Sequence, residues 1–301
     1  MVDIDIKQSP FAGSPVVPEL FDGNKEFSFR CHKGIKCFNA CCSNIDISLT
    51  PYDIIRLKNR LNMKSDEFLL QYSFPFEMEQ GGIAGVKFKP VEGGTACQFM
   101  VDEGCSVYED RPTACRYYPI GLVSRRKQDE YFDTSAYAVV REPHCLGHNE
   151  DRPITIDAYR QEQGLEDYDK YGHGWRQLVL KKKSTGPAVG KPSKRSLQLF
   201  FMACYDIDRF RIFINSDGFR QSFVVSEAEY AALNADDVAL LEFSYRFLKQ
   251  TLFAEETIPF REGALDARIN RTDKTLEELQ ALKAEQSKHK DDPDFEPVDM
   301  A

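Results

Sequence analysis

Residues 29–42 read Phe-Arg-Cys-His-Lys-Gly-Ile-Lys-Cys-Phe-Asn-Ala-Cys-Cys, and the rest of the chain is best read outward from them. Cys37, Cys41 and Cys42 fall within six residues. As buried hydrophobes, three thiols so close would waste apolar volume and invite oxidation, so the group reads as metal-binding. On a helical turn Cys37 and Cys41 are i and i+4 and share a face. Cys41 and Cys42 are neighbours, and their side chains diverge by about 100° on a helix or point to opposite faces of a strand. A single tetrahedral ion is hard to bind with both. Either one of the pair is not a ligand, or there are two sites, or the site is polynuclear.

Of nine cysteines, eight lie between residues 31 and 145: Cys31, Cys37, Cys41, Cys42, Cys97, Cys105, Cys115 and Cys145. The ninth, Cys204, sits alone in an apolar run and reads as a small core residue. Cys97 and Cys105 flank Asp102-Glu103-Gly104, a hairpin turn in which Gly supplies a positive φ. A tight hairpin offsets them by about four residues, or ~13 Å, so they meet one ion only across a wider loop. Spacing therefore does not fix which thiols share a metal. Arg111 and Arg116 lie where they can offset thiolate charge and lower thiol pKa values. His32, His144 and His148 flank the outer cysteines and are candidates for mixed Cys/His ligation, though each reads first as a loop histidine.

The same residues resemble a known family. FRCHKGIKCFNACC, then LTPYDIIRLKNRL, then CQFM and CSVYEDRPTACRYYPIG are similar to the YkgJ-type cysteine-cluster family, usually described as a zinc- or iron-chelating domain. Its second motif is matched by Cys105, Val107, Tyr108, Arg111, Pro112, Cys115, Arg116, Tyr118 and Pro119. Its first, C-x-x-C-x-x-C-C, is matched with altered spacing, which leaves the place of Cys31 open. The resemblance covers residues 31 to about 122. A distant branch of that family contains flagellin lysine N-methylases, thought to combine an iron–sulfur centre with S-adenosylmethionine. That branch implies methyl transfer, yet no strand, glycine-rich turn and helix in the usual adenosyl-binding order occurs here; Gly81, Gly82 and Gly85 precede a strand instead.

The 301 residues carry a net charge of −9, which argues against a nucleic-acid or anionic-membrane partner and leaves only a protein partner open. Met1–Pro15 lacks the charged-then-apolar pattern of a secretion signal, no apolar run is long enough to span a bilayer, and a cytoplasmic location follows. Residues 1–26 read as a flexible N-terminus, 27–183 as a cysteine-cluster domain, 184–195 as a basic linker, 196–286 as a helical module and 287–301 as a disordered acidic tail. Thr50-Pro51-Tyr52-Asp53 opens a helix, and further helices are predicted from Ser65, from Thr155, over Leu165–Leu180, from Ser226 and from Thr275. Strands are predicted around Val86 and Phe88 and over Tyr131–Val140. The phenylalanines at 200, 201, 210, 213 and 219 read as core packing.

The fold class is thus α+β and mainly helical: a cysteine-rich metal-binding module with short strands, then a helical module. No P-loop, nucleophile elbow, zincin or EF-hand pattern occurs, and no catalytic residue is assigned. All eight clustered cysteines are candidate ligands, of an iron–sulfur ([4Fe–4S]) cluster in preference to zinc. The alternatives are a structural zinc module without catalysis and an iron–sulfur, S-adenosylmethionine-dependent protein lysine N-methylase.

Overall fold

The computed structural model describes residues 19–78, 83–125, 134–184, 193–264 and 266. The Thr275 helix, the acidic tail, Gly81, Gly82, Tyr131–Asp133 and most of the basic linker fall outside these residues.

The cysteine-bearing half is held by short antiparallel pairings. β1 (Glu26–Ser28) pairs with β9 (Pro153–Thr155). β2 (Ser48–Leu49), β4 (Ala84–Phe88) and β3 (Ser73–Glu77) form a sheet in the order β2-β4-β3. β5 (Met100–Val101) and β6 (Gly104–Cys105) make the expected hairpin, and β7 (Ile120–Arg125) pairs with β8 (Thr134–Val139). Phe21 is not free, as a flexible residue 1–26 segment would have it: its backbone exchanges two hydrogen bonds with Tyr137, at 2.8 and 2.9 Å. Burial of Phe27 and Phe29 beyond it anchors this part of the N-terminus to the core.

α1 (Pro51–Arg60) begins as its sequence directs. Thr50 Oγ1 accepts from the Asp53 amide, and Asp53 Oδ2 accepts from the Thr50 amide at 2.8 Å, a reciprocal cap with Pro at the first turn. Ile54, Ile55 and Leu57 line its buried side. α2 (Ser65–Tyr72), α3 (Thr113–Tyr117), α4 (Ile156–Glu162) and α5 (Glu166–Ser184) complete this half.

α6 (Lys194–Tyr205) starts inside the predicted linker, because Ser193 Oγ caps it by accepting from the Ser196 amide at 3.1 Å. α7 (Ile207–Ile214), α8 (Asp217–Ser222), α9 (Glu227–Ala235) and α10 (Asp237–Phe253) follow. α10 packs against α5, α6, α7 and α9, and also against α1. One apolar cluster therefore runs from Phe27 to Ile258 through both halves. Cys204 is buried in it, as expected. So are Phe200, Phe210 and Phe219, with Phe201 and Phe213 packed against them.

A polar seam joins the halves. Lys58, buried at the end of α1, reaches Asp237 at 2.9 Å and Asp208 at 3.4 Å, and Arg211 bridges the same two carboxylates. Ser65 Oγ donates to Asp206 at 2.7 Å. Buried Lys58 survives here because it has more than one anionic partner.

Candidate metal centre

Residues 32–42 are not a helical turn of the α kind. Amide-to-carbonyl bonds Ile35→His32, Phe38→Ile35, Ala40→Cys37 and Cys42→Asn39 make a series of tight i→i+3 turns, with Asn39 left-handed at φ 65°. This winding brings Cys41 Sγ to 3.9 Å from Cys42 Sγ. With Zn–S bonds near 2.3 Å, the edge of a tetrahedral thiolate site is about 3.8 Å. Adjacency therefore does not keep the two thiols apart, as a regular helix or strand would.

Two walls face this loop. On one side the Arg30 amide donates to the Gly147 carbonyl at 3.0 Å, and the Leu146 amide donates to Cys37 Sγ at 3.3 Å. The chain comes this close because residue 147 is glycine: a Cβ there would stand 2.6 Å from the Phe29 ring. These contacts seat Cys31 and Cys37 beside the Cys145 turn.

On the other side the Cys97 amide donates to the Cys42 carbonyl at 2.8 Å. A turn after Cys97 returns the Met100 amide to the Cys97 carbonyl at 3.1 Å, and Met100 pairs with Cys105 across the hairpin. That turn, with Gly104 at φ 125°, removes the separation that a straight strand would impose on Cys97 and Cys105. Asn39 Nδ2 donates to the Val101 carbonyl at 3.2 Å, and Lys33 pairs with Glu103, so hairpin and loop are stitched together.

Cys115 lies on α3. The start of α3 is fixed by Asp53, whose Oδ1 accepts from the Thr113 amide and hydroxyl at 2.8 and 2.7 Å. Burial raises the Asp53 pKa, and these hydrogen bonds oppose the rise. One carboxylate thus caps α1 and positions the thiol-bearing α3.

The two arginines differ. Arg111 lowers the pKa of Cys31, Cys41, Cys105 and Cys115, stacks 4.6 Å from the Tyr108 ring, and is steadied by Gln163. Its Nε is buried with no hydrogen-bond partner among the described residues. Arg116 instead donates to the carbonyls of Arg111, Gln163 and Glu109 at 3.1, 2.6 and 2.6 Å, and so braces the backbone rather than the thiols. The histidines are engaged elsewhere. His32 bonds Glu150 and the Gly34 amide, His148 bonds the Val140 carbonyl, and His144 lies 3.5 Å from Glu142. His148 Nδ1 is buried without a hydrogen-bond partner among the described residues, and the thiols are the most numerous donors here.

Burial pushes the Cys31 thiol up to about 11, aided by Cys41, Cys37 and Cys145. Burial likewise raises Cys97, Cys105 and Cys115, the last most strongly. Cys41 is held down to about 7, first by its hydrogen bond with Cys42, which is raised in turn. Thiols crowded together resist joint ionisation unless a cation arrives. Among the described residues no three Cys, His, Asp or Glu side chains are drawn in around one point to hold an ion. The donor set nevertheless fits a thiophilic metal in kind. It has many thiols within mutual influence, an amide aimed at one sulfur and a guanidinium facing the group.

Such a set resembles that of a cysteine-cluster domain. Residues 30–145 match the CxxCxxCC family model, described as "Putative zinc- or iron-chelating domain". Zinc and iron are both metals that thiol donors suit. The chain matches no curated protein and no solved structure.

Sequence reasoning missed Asp53 as a positioning residue, the Leu146 amide and Gln163. Thr50-Pro51-Tyr52-Asp53 signalled the Asp53 cap but not its second role, and nothing local marks the other two.

Proposed function

We propose that Cys31, Cys37, Cys41, Cys42, Cys97, Cys105, Cys115 and Cys145 hold the metal, and that it is bound as iron–sulfur in preference to zinc. The observation that carries this reading is the Leu146 amide at 3.3 Å from Cys37 Sγ, in a group of thiols that Arg111 faces. Amide-to-sulfur hydrogen bonds and nearby charge are the protein's means of tuning an iron–sulfur potential. When bound, such a centre supplies electron transfer. The chain's own residues hold the thiolates and limit their charge through Arg111.

Zinc is the second reading. The thiol-bearing segments are turns and two-residue strands, and metal cross-links would stabilise such segments directly. The chain would then serve as an interaction module. The lysine N-methylase version rests on family resemblance alone, and titration of metal-replete protein with S-adenosylmethionine tests it: no heat of binding rejects it.

The deciding experiment is elemental analysis of anaerobically purified full-length chain. Iron with matching acid-labile sulfide supports the first reading. Zinc without sulfide supports the second, and neither metal in a cooperatively folded protein overturns both.

A further inference from the structure

Cys41 and Cys42 touch. Their sulfurs lie 3.9 Å apart and share a hydrogen bond, the one sulfur-to-sulfur bond among the described residues. The backbone holds them there. Asn39, left-handed at φ 65°, starts the turn, and the Cys42 and Ser43 amides donate to the Asn39 and Ala40 carbonyls at 2.9 and 3.2 Å. Beyond the pair, the Ser43 carbonyl accepts from Thr95 Oγ1 at 2.8 Å, and the Ile45 amide donates to the Thr95 carbonyl at 2.9 Å. The Cys97 amide completes the clamp on the Cys42 carbonyl at 2.8 Å. Cys41 is exposed at the end of this clamp, and Cys42 is half-buried behind it.

A solvent-facing thiol in contact with a second thiol is the arrangement that turns oxidation into a disulfide instead of a dead-end acid. From this juxtaposition we infer that Cys41 and Cys42 are a modification site for two-electron oxidants of the peroxide class, which close them into a reversible disulfide and withdraw both from metal binding. In the first step Cys41 Sγ attacks the peroxide: the O–O bond breaks, an S–O bond forms and water leaves, giving a sulfenic acid on Cys41. In the second, Cys42 Sγ attacks Cys41 Sγ: the S–S bond forms, the S–O bond breaks and a second water leaves. The two thiols together lose two electrons and two protons, and the peroxide is reduced to two waters.

The product is built to be undone. An ordinary disulfide spans Cα atoms about 4.4–6.8 Å apart, whereas neighbours across a trans peptide are about 3.8 Å apart. A bond between neighbours is therefore strained and readily reduced by a dithiol, as regulatory disulfides are and structural ones are not. Closing it also twists the peptide whose carbonyl holds the Cys97 amide, so the oxidised turn pulls on the segment that carries Cys97. The thiol chemistry stands apart from any metal; its consequence for ligation rests on the metal-binding reading.

The test uses the full-length chain, purified anaerobically, freed of metal with chelator and treated with hydrogen peroxide. Remaining thiols are alkylated and the unreduced digest is mapped by tandem mass spectrometry. The expected peptide carries alkylated Cys37 and a loss of two hydrogens across Cys41 and Cys42, reversed by dithiothreitol. In Cys42→Ser the reaction should stop at a sulfenic acid on Cys41, trapped by a cyclic 1,3-dione. Zn²⁺ uptake by the oxidised wild-type chain should be at least about tenfold weaker than by the reduced chain and return with dithiothreitol, since two thiolate donors are lost and regained. A disulfide from Cys41 to any other cysteine, oxidation of the wild-type chain to sulfinic acid without a disulfide, or Zn²⁺ uptake unchanged by the disulfide would each overturn the inference. A reversible Cys41–Cys42 disulfide in a chain whose reduced form takes up no Zn²⁺ and holds no metal as purified would support the modification site and overturn the metal reading instead.

Discussion

Two regions of this molecule are ordered by different means. In the helical region, Phe210, Phe213, Phe219, Phe243 and Phe247 pack ring on ring, with centroids 5.5–6.5 Å apart. Phe210 is wholly buried there. In the cysteine region, residues 31–42 are tight turns, the hairpin strands are two residues long, and most of the clustered thiols remain partly exposed. The first region is stable through apolar burial. The second shares the apolar core through Phe29, Phe99 and Val107, but its thiol-bearing turns are held mainly by polar tethers. The difference teaches where metal should matter and where it should not.

Metal removal is expected to have the largest effect, since structural thiolate sites can contribute on the order of 10 kcal/mol. Chelation should speed amide exchange at residues 31–42 and 97–115 by about a hundredfold or more, with α10 still protected. Equal loss in both regions would show that the shared core, not the local region, carries the metal's contribution. Phe210→Ala should come next, at about 3–5 kcal/mol by urea unfolding, with metal content per folded chain unchanged. If metal content fell as well, the two regions would be coupled more tightly than their separate means of ordering imply.

Asp53→Ala is expected to cost about 2–3 kcal/mol, because it strands buried donors at both Thr50 and Thr113. Unlike Phe210→Ala, it should also weaken metal retention through the displaced Cys115, read by competition with a chromogenic chelator. Undiminished retention would remove Asp53 from its positioning role.

The smallest effect concerns acid. Burial would raise the pKa of Asp208 and Asp237, but hydrogen bonds and the charges of Lys58 and Arg211 outweigh it and hold both below the ordinary 3.8. Their contribution is therefore complete above that unfolded value and is lost as pH falls through the lowered folded values. Asp237→Asn should flatten the acid limb of stability below about pH 4 without altering metal content. An unchanged limb would mean that the seam adds nothing to acid resistance.

Much of this contrast was legible in the sequence, but unevenly. The caps at Thr50, Thr155 and Ser226 were readable because a cap is a local device. The phenylalanine core was readable because apolar spacing announces burial. Which thiols face one another was not. Periodicity assumes a regular helix or strand, while residues 32–42 are successive i→i+3 turns and Cys97 precedes a reversal. β1 pairs with β9 and Asp53 meets Thr113 across long stretches of chain, and no local pattern records such partners.

The packing of α1 against α10 has a consequence in time. Cys145, the last of the clustered thiols, is synthesised well before Asp237, where α10 begins. At roughly 5–20 residues per second, the ribosome releases the whole set of thiols some 5–20 s before that helix exists. During this interval the nascent chain offers reduced cysteines to any oxidant or stray ion nearby. Loading of a metal would then be a race between maturation and translation, in which α10 closes the core behind α1.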